Sequence, residues 1–333
     1  MRVLAVTNMW PTPARPAAGA LVAQQVDGLR RAGVEVDILH VDRVERGMRC
    51  YARLGAVCRE AAARADVIHA MYGGILADIV TRAARGRPTV VSFCGSDLLG
   101  EPLAPAPRRL LAWAGTVASR RAARRATAIV VKSRNLARAL GRAAPPERVH
   151  VIPNGVDLSR FRPLDRTACR RALGWDADVP QVLFPTTDGA AVKRRPLAAA
   201  ALAELERSGV RTVMRELKGV PHEDVPMWIN ACDAVLVTSA HEGSPNVVKE
   251  ALACGVPIVS VDVGDVRERI AGLDGCHIVE AEPQALARAL RAVLDGPRRI
   301  DARGRVEPLS LQQVSTRLVS VYRTALGPMP AAV

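Results

Sequence analysis

Two glutamates eight positions apart, Glu242 and Glu250, lie in TSAHEGSPNVVKEALACGVPIVSVDVGD (238–265), directly after the apolar run AVLVTS. If that run is a parallel strand, the pair sits at the carboxyl edge of a sheet, where open α/β sheets bind ligands. A helix is predicted from Pro245 to about Ala253, with Ser244 as N-cap, Pro245 in the first helical position and Gly255 as the stop. Its first amides, on Asn246, Val247 and Val248, then make an anion site together with the helix dipole. Alone, such a pair reads as solvated glutamates beside an ordinary helix start. Carboxylates on either side of an anion site, however, suit a ligand with a phosphate flanked by hydroxyls. A sugar nucleotide is such a ligand.

The elements that must position these residues follow from periodicity. Short β-branched runs alternate with longer helix-like stretches: RVLAVT, EVDILHV, DVIHA, PTVVSFCG, AIVVKS and VHVIPNG. After Pro163 the alternation restarts with QVLFPTT, TVMREL, AVLVTS, PIVSVD and CHIVE, separated by helices such as 196–208 and 245–253. This is the pattern of buried parallel strands in α/β domains. Two doubly wound domains are expected, 1–163 and 164–310, with the charged, Pro-containing RFRPLDR (160–166) as the junction. The closing stretch 311–326 places Leu311, Val314, Leu318 and Tyr322 on one face, and it either packs back on the first domain or ends the second.

With these residues in order, the chain resembles glycosyltransferase family 4. The E-x7-E pair inside EGSPNVVKEALACGVPIV resembles that family's donor site, NMWPTPARPAAGALVAQQV its amino-terminal loop and helix, SFCGSD its HGSD-type turn, and VIPNGVDLSRF its domain-closing motif. The resemblance implies the GT-B fold, two Rossmann-like domains facing each other across a cleft, and retaining transfer from a nucleotide sugar. Carried over, Glu250 holds the nucleotide ribose and Glu242 lies by the donor sugar. The backbone from Gly243 through Ser244, Pro245, Asn246 and Val247 to Val248 holds sugar hydroxyls and diphosphate. Lys193 offsets leaving-group charge. Gly19 lets the backbone approach the distal phosphate, and Asp97 either binds the acceptor or caps its turn.

Two departures from the family pattern stand out. The arginine usual a few residues before the lysine is missing from Thr187, Asp188, Gly189, Ala190 and Ala191, leaving Arg194 or Arg195 to supply its charge. Cys94 stands where the family's turn carries histidine, and a thiol cannot reproduce imidazole's paired donor and acceptor. That change implies altered donor choice, a histidine supplied by His69, or weakened catalysis. A nucleophilic Cys94 is disfavoured by front-face substitution. His69 itself reads as a cleft residue or a satisfied core histidine.

Composition narrows the alternatives. Among 333 residues, 47 are basic and 33 acidic, for a formal charge of +14, and only four of the basic residues are lysines. Residues 1–165 carry +13 of that charge and the rest +1. Ten aromatic residues, none interleaved with the basic clusters, argue against a nucleic-acid surface. Seven cysteines without a C-x-x-C pair argue against a disulfide framework or structural zinc. Asp176 and Asp178 form a D-x-D in a charged loop and read as a solvated turn; with Lys193 and the helix start to stabilise the diphosphate, no metal is required in principle. G-x-G-x-x-G and P-loop motifs are absent. No long apolar run marks a signal peptide or a spanning helix, so a cytoplasmic setting is expected. The stretch 107–126, with six arginines around Leu110, Leu111, Trp113 and Val117, is either an ordinary surface helix or one that rests on an anionic membrane.

The expected activity is transfer of a sugar from a nucleotide-diphosphate donor, UDP favoured, to an acceptor hydroxyl. Candidate acceptors are a small molecule, a glycan or a lipid-linked saccharide. Two other readings are a catalytically weakened nucleotide-sugar-binding protein and a peripheral membrane adaptor.

Overall fold

The computed structural model describes residues 1–15, 18–186 and 191–327. It contains the eleven strands the periodicity implies, in two parallel sheets. They are β1 (Arg2–Thr7), β2 (Glu35–His40), β3 (Val67–Ala70), β4 (Thr89–Phe93), β5 (Ala128–Val131), β6 (Val149–Val151), β7 (Gln181–Phe184), β8 (Val213–Glu216), β9 (Ala234–Val237), β10 (Ile258–Ser260) and β11 (His277–Ile278). The first sheet runs β2-β1-β3-β4-β5-β6 and the second β11-β10-β9-β7-β8. In each, the chain first winds to one side of its opening strand and then to the other. The topological switch points therefore lie between β1 and β3 and between β7 and β9, where ligands collect in such sheets.

The chain divides into two compact units, Met1–Gly155 with the segment from Leu311 onward, and Val156–Ser310. In the first unit successive strand residues point to opposite faces. Leu4, Val6, Val91 and Phe93 belong to one core, while Val3, Ala5 and Val90 meet the helix Leu311–Leu326 through Val314, Leu318 and Tyr322 in the other. Of the two packings open to that helix, it takes the one on the first unit. Gly28 makes room for it, since a Cβ there would lie 2.4 Å from Ser315 Oγ.

The division falls at Val156 rather than after Pro163. Residues 156–166 are held by the second unit: the Val156 amide donates to Leu309 O at 2.8 Å, Phe161 is buried in the core, and Arg303 donates to Leu158 O at 2.8 Å and to Phe161 O at 3.2 Å. Leu164 N donates to Asn230 Oδ1 at 2.9 Å, and Arg166 pairs with Asp233. A charged, Pro-containing segment reads as a linker until such partners are known. The core of the second unit is the apolar run of β7 and β9, buried on both faces with Val248, Leu252 and Leu290.

Candidate active site

At the β7/β9 switch point the loop after β7 is stitched to the loop after β9. Thr238 Oγ1 donates to Lys193 O at 2.7 Å, the Ala240 amide donates to Val192 O at 2.8 Å, and the Arg194 guanidinium donates to Thr238 O at 2.5 Å and to Ser239 O at 3.1 Å. Arg194 is left-handed, with φ 51°, and turns the chain into the helix Arg195–Arg207. Those bonds fix Lys193 so that its ammonium meets Glu242 Oε1 at 2.5 Å, and Ser239 Oγ donates to the same oxygen at 2.9 Å. The cation and the carboxylate come from the loops after two different strands, β7 and β9, and share one half-buried spot.

Neither arginine proposed for the missing charge reaches that spot. Arg194 is spent on two carbonyls, and Arg195 pairs with Glu216. Residues 187–190, most of the interval where an arginine was sought, lie outside the described residues.

The helix after Glu242 runs Asn246–Cys254, one residue later than expected, and stops at Gly255, whose φ is 69°. Pro245 is its N-cap, and Ser244 caps nothing. Ser244 is drawn away instead: its hydroxyl donates to Asp265 Oδ2 at 3.0 Å and accepts from Lys249 Nζ at 3.1 Å, while Arg269 also donates to Asp265 Oδ2 at 2.9 Å. Lys249 and Asp265 are buried, so the loop carrying Glu242 is braced from beneath by charge-assisted bonds. Gly264 completes the brace, because a Cβ there would lie 3.0 Å from Gly243 O and 3.2 Å from Glu242 Cβ. Of the amides expected to be free, that of Val248 donates to Pro245 O at 3.2 Å. The solvated reading of Glu250 fails as well. It is 7% exposed and lies 3.5 Å from His222 Nε2, whose ring stands edge-on to Phe161.

In the first unit, Asp97 closes the turn after β4. Its carboxylate accepts the amides of Cys94 at 3.0 Å, Gly95 at 2.8 Å and Gly73 at 3.0 Å. Burial pushes its pKa above the usual carboxylate range, and those amides pull it back. Capping is thus its structural role. Burial, with Asp97 nearby, pushes the Cys94 thiol up to about 12, so it stays protonated at neutral pH, a poor state for a nucleophile.

His69 does not replace the missing imidazole. It is fully buried, Nδ1 meets Tyr322 OH at 2.7 Å and Nε2 meets Ser92 Oγ at 2.8 Å, and burial with nearby Lys132 depresses its pKa to about 3. It is the satisfied core histidine. Gly19 has φ 70°, and a Cβ there would fall 2.4 Å from Met9 C, so any side chain would displace the loop after β1. Asp176 Oδ1 accepts the amides of Asp178 and Val179 in an exposed turn.

Sequence reasoning passed over a cavity of about 530 Å³ at the β1/β3 switch point. Asn8, Tyr72 and Ser96 face it, with the Glu101–Arg108 ion pair and Arg43. Among the described residues Arg43 has no ion-pair partner. It also passed over Thr238, Ser239, His222 and Asp265. The available signal was position: each of these residues but Glu101 and Arg108 follows within about six places of a strand's carboxyl end.

Residues 18–160 match the family model Glycosyltransferase Family 4, and residues 189–296 match Glycosyl transferases group 1. The chain belongs to glycosyltransferase family 4. This family 4 glycosyltransferase is 29% identical to D-inositol 3-phosphate glycosyltransferase 1 of Catenulispora acidiphila, over 78% of this chain and 72% of that one. It is 30% identical to the D-inositol 3-phosphate glycosyltransferase of Thermobispora bispora, over 55% of this chain and about half (52%) of that one. Solved structures agree in fold. Sucrose-phosphate synthase from Thermosynechococcus elongatus has a TM-score of 0.81 at 16% identity, covering 97% of this chain and 98% of that one. Anabaena HepE, solved in complex with UDP and glucose, has a TM-score of 0.70 at 19% identity, covering 96% and 98%. The family 4 glycosyltransferase thus has two Rossmann-like α/β units of the GT-B class.

Proposed function

We propose that the second unit binds a nucleoside-diphosphate sugar, UDP-linked by preference, and that the sugar passes to an acceptor hydroxyl with its anomeric configuration kept. The observation that carries this reading is the Lys193–Glu242 pair at 2.5 Å beside the start of the Asn246–Cys254 helix. When a donor enters, Lys193 exchanges the carboxylate for the diphosphate, and Glu242 turns to sugar hydroxyls. Lys193 and the amides from Gly243 to Val247 then offset the charge of the leaving diphosphate, without a metal in this scheme. The Val248 amide has less to offer, being engaged by Pro245. Glu250 takes the ribose hydroxyls, its burial sharpening a bond that water would otherwise weaken. The departing phosphate oxygen accepts the acceptor proton on the same face, so the scheme needs no separate base.

The preference for UDP draws support from HepE, solved with UDP and glucose. The acceptor is assigned to the cavity of the first unit. Hydroxyl and amide groups of Asn8, Tyr72 and Ser96 suit a polyol or sugar, and Arg43 suits an anionic substituent on it. The names of the relatives, D-inositol 3-phosphate glycosyltransferases, agree with a phosphorylated polyol. Proton NMR of the product tests the mechanism. Retention of the donor's anomeric configuration is expected, and clean inversion would contradict it.

A second reading, nucleotide-sugar binding with weakened transfer, is favoured by Cys94, whose neutral thiol offers less than an imidazole. A Cys94→His variant separates the two: a large gain in turnover supports weakened catalysis, and a loss supports a site tuned to cysteine.

A further inference from the structure

The helix Ala106–Arg125 is two helices in its environment. From Thr116 onward, Thr116, Ala118, Ser119, Ala122 and Ala123 are buried, so the helix as a whole does not lie on a surface. At 100° per residue those five side chains share one side with Arg108, Leu111, Ala112 and Gly115, which line the cavity. The opposite sector, about 120° wide by the same arithmetic, is exposed along its length except at half-buried Val117. It carries Leu110, 66% exposed, Trp113, 63% exposed, and Val117 at i, i+3 and i+7. Four exposed arginines share the sector: Arg109, Arg120, Arg121 and Arg124. Among the described residues none of the four has an ion-pair partner, whereas Arg108 pairs with Glu101 and Arg125 with Asp78, both off this face. The stripe from Arg109 to Arg124 is about 22 Å long at helical rise.

The other exposed large apolar side chains, Met9, Val44, Met48, Val57, Leu103, Leu111 and Leu326, belong to the same unit, and the second unit has none among its described residues. We propose that the outward sector of this helix docks on an anionic lipid bilayer, Leu110 and Trp113 entering the headgroup layer and the four arginines pairing with lipid phosphates. Charge and shape both select that occupant. Aromatic and aliphatic side chains flanked by unpaired arginines are the composition of an interfacial helix. An acidic protein would leave the protruding Trp113 without its apolar layer. Docked this way, one wall of the cavity stands a helix diameter, about 10 Å, from the headgroups. No helix among the described residues is long and apolar enough to cross the membrane, so the contact is peripheral.

The inference is independent of sugar transfer, and its test needs no sugar nucleotide. The whole protein is sedimented with vesicles of phosphatidylcholine, or of phosphatidylcholine and phosphatidylglycerol in equal parts. At low salt the anionic vesicles are expected to bind at least about tenfold more protein, and binding should fall as salt screens the arginines. Leu110→Ser with Trp113→Ser, exposed changes expected to leave the melting curve in place, should abolish binding, and the tryptophan emission of the native protein should shift to the blue only with anionic vesicles. Equal binding to both vesicle types, or unchanged binding by the double variant, would overturn the proposal. So would a concentration-dependent dimer, lost in the double variant, without vesicle binding, which would mark the face as a contact between copies.

Discussion

At the residue scale, the site is a set of charges held ready by neutralising one another. Glu242→Gln removes the carboxylate that competes with a diphosphate for Lys193, so UDP should bind at least as tightly as to the native chain. Transfer should nevertheless fall by about 10- to 100-fold, since a contact to the reacting sugar is lost. Titration calorimetry and initial rates together check this split. Glu250→Ala should weaken UDP-sugar binding by about tenfold or more, the usual scale for a charged hydrogen bond in a buried place. His69 makes a different expectation, about pH. Its pKa is near 3 in the folded chain and about 6.5 when unfolded. Below pH ~6.5 the unfolded chain therefore binds the extra proton, and stability should fall with pH by up to about 1.4 kcal/mol per unit toward pH 3. Urea denaturation at a series of pH values should show that slope. It should be shallower in His69→Gln, which has no imidazole to protonate.

At the element scale, the proposed chemistry falls to the loops after β7, β9 and β10, and the helices behind them hold those loops in place. The eleven strands were legible because buried parallel strands leave unbroken β-branched runs, and the Asn246–Cys254 helix was legible from its Pro start and Gly stop. Ser244 was misread because a serine before Pro-Asn looks like a cap until Asp265, twenty-one residues on, competes for its hydroxyl. His69 was ambiguous for a related reason: its partners Ser92 and Tyr322 come from strands and helices far along the chain. Burial of the Lys249–Ser244–Asp265–Arg269 network makes it vulnerable at a single point. Asp265→Ala strands the Arg269 guanidinium and removes the acceptor of the Ser244 hydroxyl, and should cost about 3–5 kcal/mol, with a looser Glu242 loop and weaker donor binding. Asp265→Asn keeps an acceptor for Ser244 and should recover part of the loss. Gly19→Ala tests the loop after β1. Its left-handed φ and the contact with Met9 should cost more than the 1–2 kcal/mol of the backbone strain alone, as read by chemical denaturation.

At the scale of the whole molecule, two units with separate cores divide the labour, and the charge asymmetry of the sequence follows that division. The unit proposed to hold the donor keeps the charges assigned to that role in pairs. The other keeps unpaired arginines at its cavity and on its outward helix. Domain count and the two switch points follow from the order of strands. The junction did not, because only the packing of Val156 and Phe161 shows where one unit ends. Separate cores also imply separate melting. A saturating UDP-sugar should raise the transition of Val156–Ser310, by about 2.7 kcal/mol at one hundred times Kd, more than the transition of the other unit in a calorimetric scan.

The most direct test of the account is titration calorimetry of UDP-glucose, with other nucleotide sugars in parallel, into the native protein and Lys193→Ala. The account expects saturable one-to-one binding of at least one nucleoside-diphosphate sugar, weakened about tenfold or more by the loss of the Lys193 ammonium. Absence of binding across the panel, or equal affinity in Lys193→Ala, would contradict it.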